Sequence, residues 1–131
     1  MNRLLLDTTV LIDLERAGGQ LDSILLDEDD AAISTITVAE LEVGVHLASP
    51  ENRDRRRASV DAVIDNVLVI PYDIEVARRH AMLIAHTRRT GRPRGQHDLI
   101  VAATAAASGR TLVSADESAF SDLPGVVLLE A

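Results

Sequence analysis

Four acidic residues, Asp7, Glu40, Asp98 and Asp116, each stand where an apolar run stops or a helical pattern begins. Asp7 follows Leu4, Leu5 and Leu6 directly, and Asp116 lies three residues beyond Val113. Glu40 falls in the first turn of the helix expected after the apolar run at 31–36, and Asp98 opens an Ala-rich segment. If the apolar runs are strands of one α/β sheet, the four carboxylates gather at its carboxyl edge, where such sheets bind ligands. Two carboxylates 4 Å apart repel by about 4 kcal/mol at an effective dielectric of 20. Three or four together need protons or a cation to coexist. Oxygen donors without Cys or paired His suit Mg²⁺ or Mn²⁺ better than zinc. Each acid also has a plainer use: Asp7 and Asp98 as helix caps, Glu40 as a favourable charge near a helix start, Asp116 as a turn residue. Four independent caps need not share one end of one sheet, so the joint pattern favours a metal-dependent site.

Neighbouring residues sharpen the choice. Glu42 is about 200° around a helix from Glu40 and faces away. Glu117 adjoins Asp116 and is left out of the set. His46, His80 and His86 have no metal-ligand spacing, and His97 beside Asp98 reads as a capping or packing residue. Arg88, Arg89, Arg92 and Arg94 occur just before Asp98 with no acid among them. At the rim they would clamp phosphates beside the metal; the alternative is a solubilising helix end and loop. Arg53 and Arg55, Arg56 and Arg57 read as an exposed helix face.

Composition removes several other chemistries. The chain has no Cys, so disulfides, thiol nucleophiles and thiolate-bound zinc are absent. All 13 basic residues are Arg, and with no Lys there is neither a Walker A loop nor a Schiff-base enzyme. The only aromatics, Tyr72 and Phe120, cannot build a base-stacking platform. A GxSxG elbow and a dinucleotide fingerprint are both missing. The net charge of −8 argues against broad nucleic-acid affinity but leaves room for a local Arg cluster working with a metal. Residues 1–48 set two Arg against ten acids, whereas the remainder is balanced. The leading apolar run is too short for a signal peptide or a membrane span, which reads as a cytoplasmic location.

The elements that must position these residues follow from pattern. Residues 4–6, 31–36, 67–70, 111–113 and 126–129 read as strands. Helical patterns fall near 8–17, 21–27, 37–48, 51–66, 74–90 and 98–108, with an acidic turn at 27–30 and a Gly/Pro loop at 91–95. Gly109 fits a helix C-cap. Strands alternating with helices imply one α/β domain over residues 1–131, a mostly parallel five-stranded sheet flanked by helices on both faces.

Four segments in this order resemble the PIN-domain ribonucleases, and among them the VapC toxins of type II toxin–antitoxin pairs. They are LLLDTTVLIDL at 4–14, TVAELEVGV at 37–45, HDLIVAATAAASG at 97–109 and TLVSADESAFSDLPGV at 111–126. None is decisive alone; together they span nearly the whole chain. The resemblance puts the family's acidic quartet on Asp7, Glu40, Asp98 and Asp116, as catalytic and metal-binding residues. Supporting hydroxyls fall on Thr8 and Ser114. His97 stands where Asn is common. The resemblance implies Mg²⁺- or Mn²⁺-dependent endonucleolytic cleavage of structured RNA, of the tRNA or rRNA class, leaving 5′-phosphate and 3′-hydroxyl ends. It further implies a homodimer and inhibition by a VapB-type antitoxin. Apolar positions in the helices at 21–26 and 38–47 are candidates to line the antitoxin groove, with an antitoxin Arg or Lys entering the acidic rim. Two rivals stand beside this reading. A haloacid-dehalogenase-like phosphatase lacks its second Asp, because Thr9 occupies that place, and its Lys. A non-catalytic PIN-like module would use the acids only to hold a basic tail.

Overall fold

A computed structural model describes residues 2–19 and 25–130. Five strands form one sheet: β1 (Arg3–Leu6), β2 (Asp30–Ser34), β3 (Leu68–Ile70), β4 (Thr111–Ser114) and β5 (Leu128–Glu130). Their order is β3-β2-β1-β4-β5, and every pairing is parallel. Parallel strands need helical crossovers, so both faces are covered and the strand sequences are apolar at consecutive positions. In β1, Leu4 and Leu6 join one core and Leu5 the other, as the two-residue pleat requires. Ile33 and Val113 extend the first core, Ala32 and Leu112 the second.

The crossovers divide by face. Helices α1 (Thr8–Arg16), α2 (Thr35–His46) and α3 (Pro50–Asn66) bring Val10, Leu11, Leu41, Val45 and Val60 to the Leu6 side. Helices α4 (Ile74–Thr90), α5 (Gln96–Ser108) and α6 (Glu117–Phe120) bring Val76, Leu83, Leu99, Val101 and Phe120 to the Leu5 side. Ala102, Ala103 and Ala105 are fully buried; such small side chains let α5 lie close to the sheet. Gly109 ends α5 at φ 65°, the left-handed conformation expected of a C-cap glycine.

Several boundaries move from the sequence expectation. Strand β2 stops two residues early because the Ser34 hydroxyl accepts the N–H of Ile36 (3.2 Å) and starts α2 at Thr35. Strand β5 begins at Leu128 rather than at 126. A short helix, α6 (Glu117–Phe120), stands between β4 and β5, where the sequence pattern gave no element. Of the helix anticipated at 21–27, residues 20–24 lie outside the described residues, and Leu25 onward is not helical. Asp30 belongs to the sheet rather than to the acidic turn. Its carboxylate takes both terminal nitrogens of Arg110 (3.1 and 3.2 Å), which also donates to the carbonyls of Asp30 (2.7 Å) and Leu4 (3.3 Å). This buried guanidinium ties β1 and β2 to the start of β4 at the amino edge. The cluster around Arg57 is likewise not simply an exposed face. Arg57 forks onto Glu42 of α2 (2.6 and 2.7 Å), and Arg56 pairs with Glu15 of α1 (3.3 Å), fastening α3 across both helices.

Candidate active site

The chain steps from β1 to β2 to β3 in one direction, then crosses to β4 and β5 on the other side of β1. The reversal opens a crevice at the carboxyl ends of β1 and β4, the position where open α/β sheets take ligands. Asp7 is the first residue beyond β1 and Ser114 the last of β4. The Asp7 N–H donates to the carbonyl of Val113 (2.9 Å), carrying the ladder one step past the strand.

Asp7 occupies the N-cap position of α1, yet its carboxylate makes no capping hydrogen bond. It is only 4% exposed, and a charge so placed requires donors. Two hydroxyls supply them: Ser114 Oγ (2.8 Å) and Thr9 Oγ1 (2.9 Å) both donate to Asp7 Oδ2. Glu40 lies in the second turn of α2 rather than the first. Its Oε1 accepts the Thr8 hydroxyl (2.9 Å), and Oε2 is 3.8 Å from His97 Nδ1. Asp116 does serve as an N-cap: its Oδ1 accepts the Ala119 N–H (3.3 Å) and the Ser118 hydroxyl (2.7 Å) at the start of α6. The plainer turn reading is therefore true of one Asp116 oxygen. Asp98 is the third residue of α5, and a Cβ added at Gly95 would lie 2.9 Å from Asp98 Oδ2. The missing side chain of Gly95 is what leaves room for this carboxylate.

Electrostatics joins the four. Burial pushes the Asp98 carboxyl above its ordinary value, and the charges of Asp7, Glu40 and Asp116 push it further, against His97. All four acids thus share one field, although they come from four separate segments. Among the described residues no three His, Asp or Glu side chains stand close enough to form a closed cation cage. Carboxylates with no positive charge between them gain by keeping apart. The donor set itself fits a hard cation: it is all oxygen, strongly negative, and in Asp7 and Glu40 already oriented by hydroxyls.

The Arg residues separate. Arg94 donates to the carbonyls of Ala119 (2.9 Å) and Ser121 (2.8 Å), so its guanidinium secures the α6 turn. Arg92 pairs with Asp122 (3.5 Å), and Arg88 and Arg89 are exposed in the last turn of α4. On the opposite flank a groove runs between α1, α2 and α3, lined by Leu11, Leu14, Leu41, Val60 and Val63 and reaching Glu40. Of the positions expected to line it, Leu41 of α2 and Leu25 do so, α1 and α3 add further walls, and residues 21–24 lie outside the described residues. Two site residues were not legible beforehand. Thr9 looks no different from Thr8 in sequence, and only the phase of α1 sends one hydroxyl to Asp7 and the other to Glu40. Gly95 resembles any loop glycine until Asp98 is placed over it.

A parallel sheet with carboxylates facing the crevice at its switch point defines an α/β protein with an acidic cleft. The PIN-domain family model matches residues 4–126, and the chain belongs to that family, whose nucleases are in general divalent-metal dependent. It is 36% identical to Ribonuclease VapC5 of Mycobacterium tuberculosis, over 95% of this chain and 90% of that protein. It is 30% identical to the tRNA(fMet)-specific endonuclease VapC of Salmonella typhimurium, over 77% of this chain and 75% of the relative. Among solved structures, VapBC-5 from Mycobacterium tuberculosis, a member of the VapBC family of toxin-antitoxin systems, superposes with a TM-score of 0.81. That match has 30% identity and covers 100% of both chains.

Proposed function

We propose that this chain, as one PIN domain, is a metal-dependent endoribonuclease toxin of the VapC type, inhibited by a VapB-type antitoxin. The observation that carries the site assignment is the network joining the segments: Ser114 Oγ bonds both Asp7 Oδ2 and the Asp116 N–H, Thr8 bonds Glu40, and Glu40 lies 3.8 Å from His97, the neighbour of Asp98. Relatives named as ribonucleases, one of them specific for tRNA(fMet), support a structured RNA substrate of the tRNA or rRNA class. No helix among the described residues is long and apolar enough to cross a membrane, and we assign the protein to the cytoplasm, with its RNA.

In this reading the four acids hold Mg²⁺ or Mn²⁺. When bound, the ion supplies Lewis acidity and neutralises charge on the attacking and leaving oxygens of the phosphodiester. Asp7 binds with one oxygen while Thr9 and Ser114 hold the other. Thr8 keeps Glu40 turned to the rim, and Asp116 offers the oxygen not engaged in capping α6. Arg88 and Arg89 contact the RNA backbone beside the rim, whereas Arg92 and Arg94 brace the loop that leads to Asp98. Hydrolysis leaves a 5′-phosphate and a 3′-hydroxyl. The antitoxin lies in the α1–α2–α3 groove and sends a basic side chain toward Glu40. Exposed Tyr72, Ile74 and Met82 give the β3–α4 flank an apolar surface suited to a homodimer.

The test is cleavage of total tRNA and rRNA by purified toxin with Mg²⁺ or Mn²⁺, repeated with chelator and with Asp7→Asn or Asp98→Asn. Loss of cleavage in all three is expected. Cleavage that survives chelation, or either substitution, refutes the proposed chemistry.

A further inference from the structure

The Thr9 hydroxyl joins parts of the chain more than a hundred residues apart. Its Oγ1 donates to Asp7 Oδ2 (2.9 Å), accepts the N–H of Ala115 (3.1 Å) and lies 3.3 Å from Ser114 Oγ. Ser114 Oγ also donates to Asp7 Oδ2 (2.8 Å) and accepts the N–H of Asp116 (3.0 Å). Each hydroxyl has one proton. Both protons point at the same carboxylate oxygen, so the Thr9–Ser114 contact is proximity and not a third bond. Asp7 Oδ2 is therefore doubly occupied, while no donor among the described residues reaches Oδ1. Thr9 Oγ1 and Ser114 Oγ also accept the consecutive N–H groups of Ala115 and Asp116, in the turn from which Asp116 projects.

Resting on the metal-dependent reading above, we propose that Thr9 is a positioning residue with two effects. It makes Asp7 a one-oxygen cation ligand through Oδ1, and it fixes the place of Asp116 relative to Asp7. A purely structural role explains less. Ala115 is exposed, and its N–H would be hydrated without Thr9. A threonine in the first turn of a helix has local backbone partners available, yet this one bonds across the crevice. Partners that orient metal ligands in this way set affinity as much as the ligands do.

The experiment is calorimetric titration of Mn²⁺ into the purified full chain, for the natural protein, Thr9→Ser and Thr9→Val, with the metal-free melting midpoint of each measured alongside. Thr9→Val is expected to bind Mn²⁺ about 10-fold or more weakly, and Thr9→Ser within roughly 3-fold of the natural protein. Thr9→Val also loses one of the two donors to buried Asp7, so its metal-free midpoint should fall. Weaker Mn²⁺ binding by the folded variant, titrated well below that midpoint, is what a merely structural role does not predict. Thr9→Ala makes the same comparison if the Val variant does not fold. Natural affinity in the Val and Ala variants overturns the role of Thr9 alone, as does a Ser variant as weak as Val. A natural protein that binds no Mn²⁺ overturns the metal reading itself, and the positioning role with it.

Discussion

Gly95→Ala isolates the placement of one carboxylate. Gly95 has φ −61° and ψ 144°, a conformation open to any residue, so alanine brings no backbone strain. Its Cβ, however, would stand 2.9 Å from Asp98 Oδ2, where ordinary contact begins at 3.4 Å. The obstacle is the tip of a side chain, which can swing aside at little cost in stability. Replacing an N-cap glycine by alanine should cost about 1 kcal/mol or less. The swing must move the Asp98 oxygen by about half an ångström, the tolerance within which a site must be held. Misplacement on that scale lowers rates by about 10-fold or more. The variant should therefore melt near the natural protein while cleaving RNA at least about 10-fold more slowly at saturating Mg²⁺. Initial rates on a tRNA substrate, with thermal unfolding measured in parallel, decide the matter. Natural activity in Gly95→Ala would mean that Asp98 does not act from this position.

Three further outcomes follow from the same geometry. Because the Asp98 carboxyl is raised, the folded chain holds more protons than the unfolded one between the ordinary aspartate value and the raised one. Metal-free stability thus falls as pH rises through that window. Asp98→Asn should remove this contribution to the slope and be more stable than the natural protein at neutral pH; denaturant unfolding in chelator checks it. Arg110→Ala should cost about 2–3 kcal/mol, since it strips a buried fork and leaves the Asp30 and Leu4 carbonyls short of a donor. Mn²⁺ affinity should not change, because this pair is at the far edge of the sheet. Replacing Arg88 and Arg89 together by Ala should weaken RNA binding and flatten its salt dependence with no loss of stability. Arg94→Ala should do the reverse, costing about 1–2 kcal/mol through two lost carbonyl bonds.

The sequence by itself determined the class of fold and singled out the four acids proposed for the site. Leu4, Leu5 and Leu6 are apolar in succession because a parallel strand is buried on both faces, and Asp7 breaks that run where the chain leaves the sheet. Asp98 and Glu40 could be assigned to the same rim because strand and helix directions follow from alternation alone. Periodicity also fixed α4 from Ile74 to Thr90 and the cap at Gly109, where propensity and tertiary structure agree. Other features depended on contacts between distant segments, which a linear pattern does not encode. Arg56, Arg57 and Arg94 look like surface charge until Glu15, Glu42 and the carbonyls of Ala119 and Ser121 are brought to them. Asp30 reads as part of an acidic turn until β2 lines up with Arg110. The division of labour between Thr8 and Thr9 likewise belongs to the tertiary structure. Two identical side chains one residue apart point about 100° from each other on a helix. Only the docking of α1 against β4 and α2 gives one hydroxyl to Glu40 and the other to Asp7.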